Sequence, residues 1–221
     1  MSITLTTGST MSIAKTYSPA LGSAGTTITA ISNDSPASVT ATHSFSGGEY
    51  VLIHSAWGLL DGRVCRVLGV TGTTAFTLEG VDTSDTAKYP ATTGVPATFR
   101  KIATWTQLSQ VKGVSASGGA QQFADITSIT DTAQRQIPTI NHAVAMTIDV
   151  YDDPTLSWYA DVSAADDART PYALKMDFSN GSKLVANAYW SILDVPTMAQ
   201  NEALMTQISL SYAAEPIRYS T

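Results

Sequence analysis

The chain has 221 residues, a formal net charge of −6 and a single cysteine, Cys65. An acidic balance argues against tight nucleic-acid binding, which runs on neutralising phosphates with Lys and Arg. A lone cysteine excludes an internal disulfide and suits assembly in a reducing cytoplasm. Apolar residues make up 43% but charged ones only 14%, against an ordinary share of about 25%. Short Thr-, Ser-, Ala- and Val-rich runs punctuated by 15 Gly and 9 Pro have the composition of a mainly-β protein.

Residues 1–27 hold one alternating run, Met11 to Tyr17, closed by Ser18-Pro19. The Ser- and Thr-rich opening residues read as a flexible arm, and 22–27 as a linker. The N-terminus has neither the basic nor the apolar region of a signal peptide. No apolar stretch reaches the ~20 residues of a membrane span.

Residues 28–102 have a different rhythm. Runs at 28–31, 37–41, 50–53, 64–70 and 74–78 are separated by turn signals such as Gly47-Gly48 and Asp61-Gly62. Short strands at this spacing predict a small β-barrel or sandwich. Pairing of Ile28–Ile31 with Phe99–Ile102 would bring its ends together, as an inserted domain requires.

From residue 103 the strands lengthen. Thr104-Trp105 to Val114 alternates, Gly118-Gly119 turns it, and Ile126-Thr-Ser-Ile129 is followed by a polar loop to Pro138. In 142–151, Val144, Met146, Ile148 and Val150 take one face. Asp152-Asp153-Pro154 then reads as an N-cap with Pro at the first helical position. Leu156, Tyr159 and Val162 recur at helical spacing, which predicts a helix over 154–168.

The clearest local signal is Thr170 to Asp194, two apolar-alternating runs meeting at Asn180-Gly181. A three-residue loop, Ser179-Asn180-Gly181, sets Met176 opposite Leu184, Leu174 opposite Ala186 and Tyr172 opposite Ala188, with Asp177 against Lys183 on the other face. A one-residue slip would exchange the faces, so this register is expected, with Gly181 left-handed. Farther on, Tyr189, Trp190, Ile192 and Leu193 break the alternation, which calls for cover on both sides and marks them as subunit-interface candidates. Residues 191–204 read as a connection, 206–213 as a closing strand and 215–221 as a tail.

No catalytic constellation emerges. His43, His54 and His142 lack metal-ligand spacing, Cys65 has no CxxC partner, and there is no GxSxG, P-loop or dinucleotide fingerprint. The pairs Asp152-Asp153 and Asp166-Asp167 read as a helix cap and as solvent- or partner-facing acids. No catalytic, cofactor or metal residue is therefore assigned, and the chain is not expected to be an enzyme. Charge is uneven: 28–102 carries six acids and five bases, and 103–221 twelve acids and six bases.

The ordered set from 103 onward (Gly118-Gly119, Asp125-Ile126-Thr127, the 142–151 strand entering a DDP helix start, a PYALKMDFSNG hairpin and a last strand before Pro216) resembles the tail tube, or major tail, proteins of long-tailed bacteriophages. Residues 28–102 are similar to a small β-module embedded in many phage tail proteins. The resemblance implies a mainly-β fold: a tail-tube-type sandwich or barrel from 1–27 and 103–221 with one flanking helix, plus an inserted all-β domain at 28–102 on the outer surface. It further implies a virion protein forming hexameric rings stacked into a tube. A tape-measure protein and double-stranded DNA would occupy the lumen, and a tail terminator and distal tail protein the ends. A conduit should repel phosphates, so Asp125, Asp131, Asp149 and Asp177 are candidates for the lumen. Two readings stand beside this one: a tail terminator or other ring component, and a two-module β binding protein.

Overall fold

The computed structural model describes residues 7–90, 96–198 and 200–220. Most of the flexible arm expected of the opening residues lies outside them. The elements in order are β1 (Thr10–Ser18), β2 (Thr26–Ile28), β3 (Ala30–Ile31), β4 (Ser38–Thr40), β5 (Tyr50–Ser55), β6 (Arg63–Thr71), β7 (Ala75–Leu78), β8 (Ala97–Leu108), β9 (Val111–Ser117), β10 (Gln121–Asp125), β11 (Gln136–Asn141), β12 (Ala145–Tyr151), α1 (Ser157–Ala168), β13 (Tyr172–Asp177), β14 (Lys183–Ile192), β15 (Met205–Tyr212) and β16 (Ile217–Tyr219). The fold is mainly β, as expected.

One sheet follows the order β3-β4-β7-β6-β5-β8-β1-β13-β14-β15-β12-β9, with β16 on β14 and β2 on β8. Two apolar cores flank it. The first gathers the 28–102 strands around Phe76, Val51, Leu52 and Leu60, and takes in Tyr17, Ala173, Val185, Ile217 and Tyr219. The second packs α1, through Trp158, Val162 and Ala165, against Ile13, Leu174, Ala188, Trp190, Ile148 and Ile208. Strands β13 and β14 therefore form a wall common to both: Ala173 and Val185 face one core, Leu174 and Trp190 the other. Strand β8 belongs to both regions, pairing with β2 and β5 at its start and β1 along its length.

The β13–β14 hairpin has the register read from the sequence, with Asp177↔Lys183, Met176↔Leu184, Leu174↔Ala186 and Tyr172↔Ala188. Gly181 has φ +83° and its N–H bonds to the Phe178 carbonyl at 2.9 Å. Parity chose this register because both faces are buried, each against a different core.

Four local expectations are corrected. The helix begins at Ser157, because Asp153 Oδ1 accepts the Thr155 N–H (3.1 Å) and hydroxyl (2.6 Å), leaving extended Leu156 to begin the helix without a side-chain cap. Asp166 turns toward β14, where its Oδ2 accepts the Ile192 N–H at 3.0 Å. The run through 104–114 is two strands, broken where Gln110 adopts φ +62°. The C-terminal tail contains β16, whose Ile217 and Tyr219 are buried in the first core. Tyr219 Oη accepts the Arg66 N–H at 2.7 Å, so a polar tip lets this large ring sit inside.

Candidate assembly surfaces

Two surfaces of the second region are left open by the rest of the chain. The first is the face of β14, β15, β12 and β9 that points away from the α1 core. Cross-strand pairing aligns Ser191, Ser209, Thr147 and Ser115 in one row across all four strands. The next row is Tyr189, Ser211, Ala145 and Ser117, and on the other side lie Gln207, Asp149 and Gly113. Opposed residues in a sheet lie about 5 Å apart, so the rows form a nearly continuous field of small hydroxyls. Asp149 is the one charged group in these rows, and its Oδ1 accepts from Gln207 Nε2 at 3.1 Å.

The second surface is an arm. Strands β10 and β11 pair only with each other, with Gln121↔Asn141 and Asp125↔Gln136. They continue the β9–β12 ribbon past a kink at Gly118 and Gly119 (φ +83° and +73°). The kink is clamped by Gly119 N–H to His142 O and His142 N–H to Ala120 O. The arm carries Phe123, Ile126, Ile137 and Ile140 in the open, and Ile129 at its tip is 103% exposed. A two-stranded hairpin is marginal alone in water, and so many exposed branched apolar residues on one projection mark a contact surface. The polar loop expected between Ile129 and Pro138 covers the arm's tip and the start of β11. Pro138 lies within β11 opposite Phe123, tolerable because the arm has free edges on both sides.

The four lumen candidates occupy three settings. Asp149 lies in the hydroxyl field. Asp125 and Asp131 lie on the arm: hydrogen bonds from the Thr127 hydroxyl and N–H and from Gln134 hold Asp125 below the usual carboxylate range, and Asp131 Oδ2 accepts the Ser128 N–H at 2.9 Å. Asp177 is half-buried and ion-paired with Lys183 and Lys175, the latter ammonium lying 5.2 Å from the Trp105 ring centre. Burial pushes Asp177 up, but the two lysines outweigh it and hold its carboxyl below the usual range. The interface candidates also divide. Trp190 and Ile192 fill the chain's own second core, with Trp190 Nε1 donating to the Tyr172 carbonyl at 3.1 Å. Tyr189 and Leu193 are 48% and 50% exposed. The turn residues Asn180 and Gly181 close the β13–β14 hairpin.

Where β8 gives way to β9, a groove of about 770 Å³ opens. Met11, Leu108, Val111, Met176 and Phe178 form its apolar lining, and Lys112 and Arg218 are its charged residues. At the same end of the β15–β12–β9 ribbon, the 193–204 connection exposes Val195 and Met198. The arm leaves from the opposite end. Sequence periodicity could not find the hydroxyl rows or the groove, because both depend on which strands become neighbours. Among the described residues no helix is long and apolar enough to cross a membrane.

Comparison with known proteins adds a family. The profile described as "Phage tail tube protein, TTP" matches residues 55–221. Among solved structures, the chain is similar to the anti-feeding prophage cap (AFP tube terminating cap), at 19% identity over 48% of this chain and 79% of that one, TM-score 0.37. It is also similar to a chain of the anti-feeding prophage baseplate, at 8% identity over 53% of this chain and 85% of that one, TM-score 0.39. No curated protein matches.

Proposed function

The chain belongs to the phage tail tube protein family, and from that premise we propose that it polymerises as stacked rings of six copies, forming a conduit through which DNA leaves the virion. The family is structural and not enzymatic, so the chain's role is a structural one in a phage-tail-like assembly. The observation that carries the finer reading is the arm. Its apolar residues are left half to fully exposed by the described residues, and the arm and the exposed 193–204 connection lie at opposite ends of one ribbon. Such a contact is head-to-tail, and head-to-tail contacts close into rings or run on as filaments.

The hydroxyl field supports a lumen. Small uncharged side chains give DNA little to hold, and Asp149 adds repulsion, with Lys112 at the margin of the field, its ammonium 3.3 Å from Met205 Sδ. In this reading Asp149 faces the bore, Asp125 and Asp131 travel with the arm, and Asp177 is held by its own lysines. Tyr189 and Leu193 contribute to the contact between subunits. The 28–102 module covers the start of β14 around Val185, the opposite end from Ser191, and so sits on the outer wall. A tape-measure protein fills the bore before DNA, and a terminator and a distal tail protein close the ends.

Negative-stain electron microscopy of the purified chain tests this reading. Long hollow tubes are the expected result. A chain that stays monomeric at high concentration, or stops at single rings, would overturn it.

A further inference from the structure

At the arm's tip Ile126 is about half exposed and Ile129 fully exposed. The groove between β8 and β9 is the converse: an apolar floor of Met11, Leu108, Val111, Met176 and Phe178 that no side chain among the described residues fills. Charge is complementary as well. The groove is lined by Lys112 and Arg218 and by no acid, while the arm's tip carries Asp125, hydrogen-bonded by the neutral Thr127 and Gln134, and Asp131, paired with Arg135 at 3.9 Å, which leaves the tip one negative charge in excess. Within one chain the tip does not reach the groove. Val111 to Val114 line the groove at the start of β9, and the tip lies beyond the far end of that strand, roughly 40 Å along the ribbon at about 3.3 Å per residue.

We propose that this groove is the socket for the arm of a neighbouring copy: Ile126 and Ile129 enter the methionine-flanked floor, and Asp125 and Asp131 meet Lys112 and Arg218 at its margin. The proposal rests on the tube reading and deepens it by naming both halves of the contact. Two of the floor residues are methionines, whose unbranched side chains adapt to an incoming knob. Each copy offers one knob and one socket at opposite ends of the same ribbon. Every added copy therefore leaves a fresh socket or knob exposed, which is the condition for open-ended growth.

The test is disulfide trapping in assembled material, with Ile129→Cys and Val114→Cys placed in one chain. Native Cys65 stays silent, because it is wholly buried and burial pushes its thiol up to about 12. Mild oxidation is expected to give a ladder of covalently linked chains from the double variant. Mixed single variants should give dimers, and either single variant alone should give none. Tubes that form but do not cross-link, or a disulfide closed within one chain, would overturn the socket and leave the tube reading standing. Failure of the unmodified chain to assemble would instead overturn the tube reading. As a second readout, Lys112→Glu should raise the concentration needed for assembly about tenfold. An unchanged threshold would count against the socket.

Discussion

A Cβ placed on Gly118 would stand 2.0 Å from the Ala143 carbonyl oxygen, at a φ of +83° that side-chain-bearing residues rarely adopt. Gly118→Ala must therefore shift the backbone at the base of the arm, in addition to about 1–2 kcal/mol for the left-handed conformation. We expect a lowered melting temperature and loss of assembly. Gly58→Ala is the control: its Cβ would meet nothing within 4 Å, it lies outside the arm, the groove and the hydroxyl rows, and both properties should hold. Asp177 offers a titration at the same scale. Its folded pKa is depressed, so its contribution is full above the unfolded value of about 3.9 and is lost as pH falls through the lower folded value. Asp177→Asn should thus melt earlier than the parent at neutral pH, and the gap should close as the pH falls below the usual carboxylate range. A gap that persists in acid would show that the lysine pairs are not its source.

Among the elements, the 28–102 module is tied in more firmly than a string of linkers would suggest. Its core takes in Tyr17, Ala173, Val185, Ile217 and Tyr219 from outside its own span. An inserted domain with adjacent ends invites excision, and the shared core attaches a cost to it. Each large apolar side chain uncovered forfeits roughly 1.5–3 kcal/mol. The simple deletion is expected to give aggregated protein. A version that also replaces Tyr17, Val185, Ile217 and Tyr219 with polar residues should recover solubility, as read by size-exclusion chromatography. The β13–β14 hairpin was legible because its signals are local: Asn180-Gly181 for the turn, and face parity for the register. Strand β16 was not, because its three residues become a strand only by pairing with Lys183–Val185 of β14, with Tyr219 reaching Arg66 across 153 positions of sequence. The arm was hidden for a different reason. Pro138 and full exposure remove both cues by which a strand is recognised, since its shape answers to a neighbour that the single chain does not contain. Trp190 and Tyr189 make the same point: both are large and aromatic, and only the fold decides which one is core.

At the scale of the whole molecule, the sequence told correctly that the acids belong to 103–221, but not where they stand. Asp152, Asp153, Asp161, Asp166 and Asp167 belong to α1 and its approach, and only Asp149 lies in the hydroxyl rows. The proposed bore thus owes its indifference to DNA more to a scarcity of charge of either sign than to a surplus of anions. Asp149→Lys should leave tubes intact but place a ring of positive charge in the bore. Co-sedimentation is expected to show DNA retained by the variant tubes at low salt and released as salt rises, with the parent retaining none. Equal behaviour of the two would remove Asp149 from the lumen.

Strand β8 crosses from the module into the second region without a break, twelve residues from Ala97 to Leu108. A tug applied to the module is therefore delivered along a covalent backbone into the body of the sheet. The hydrogen bonds to β1 and β5 on either side are loaded in shear, all together, and not peeled one at a time. A load taken up anywhere on the module would thus be felt as tension in this one strand.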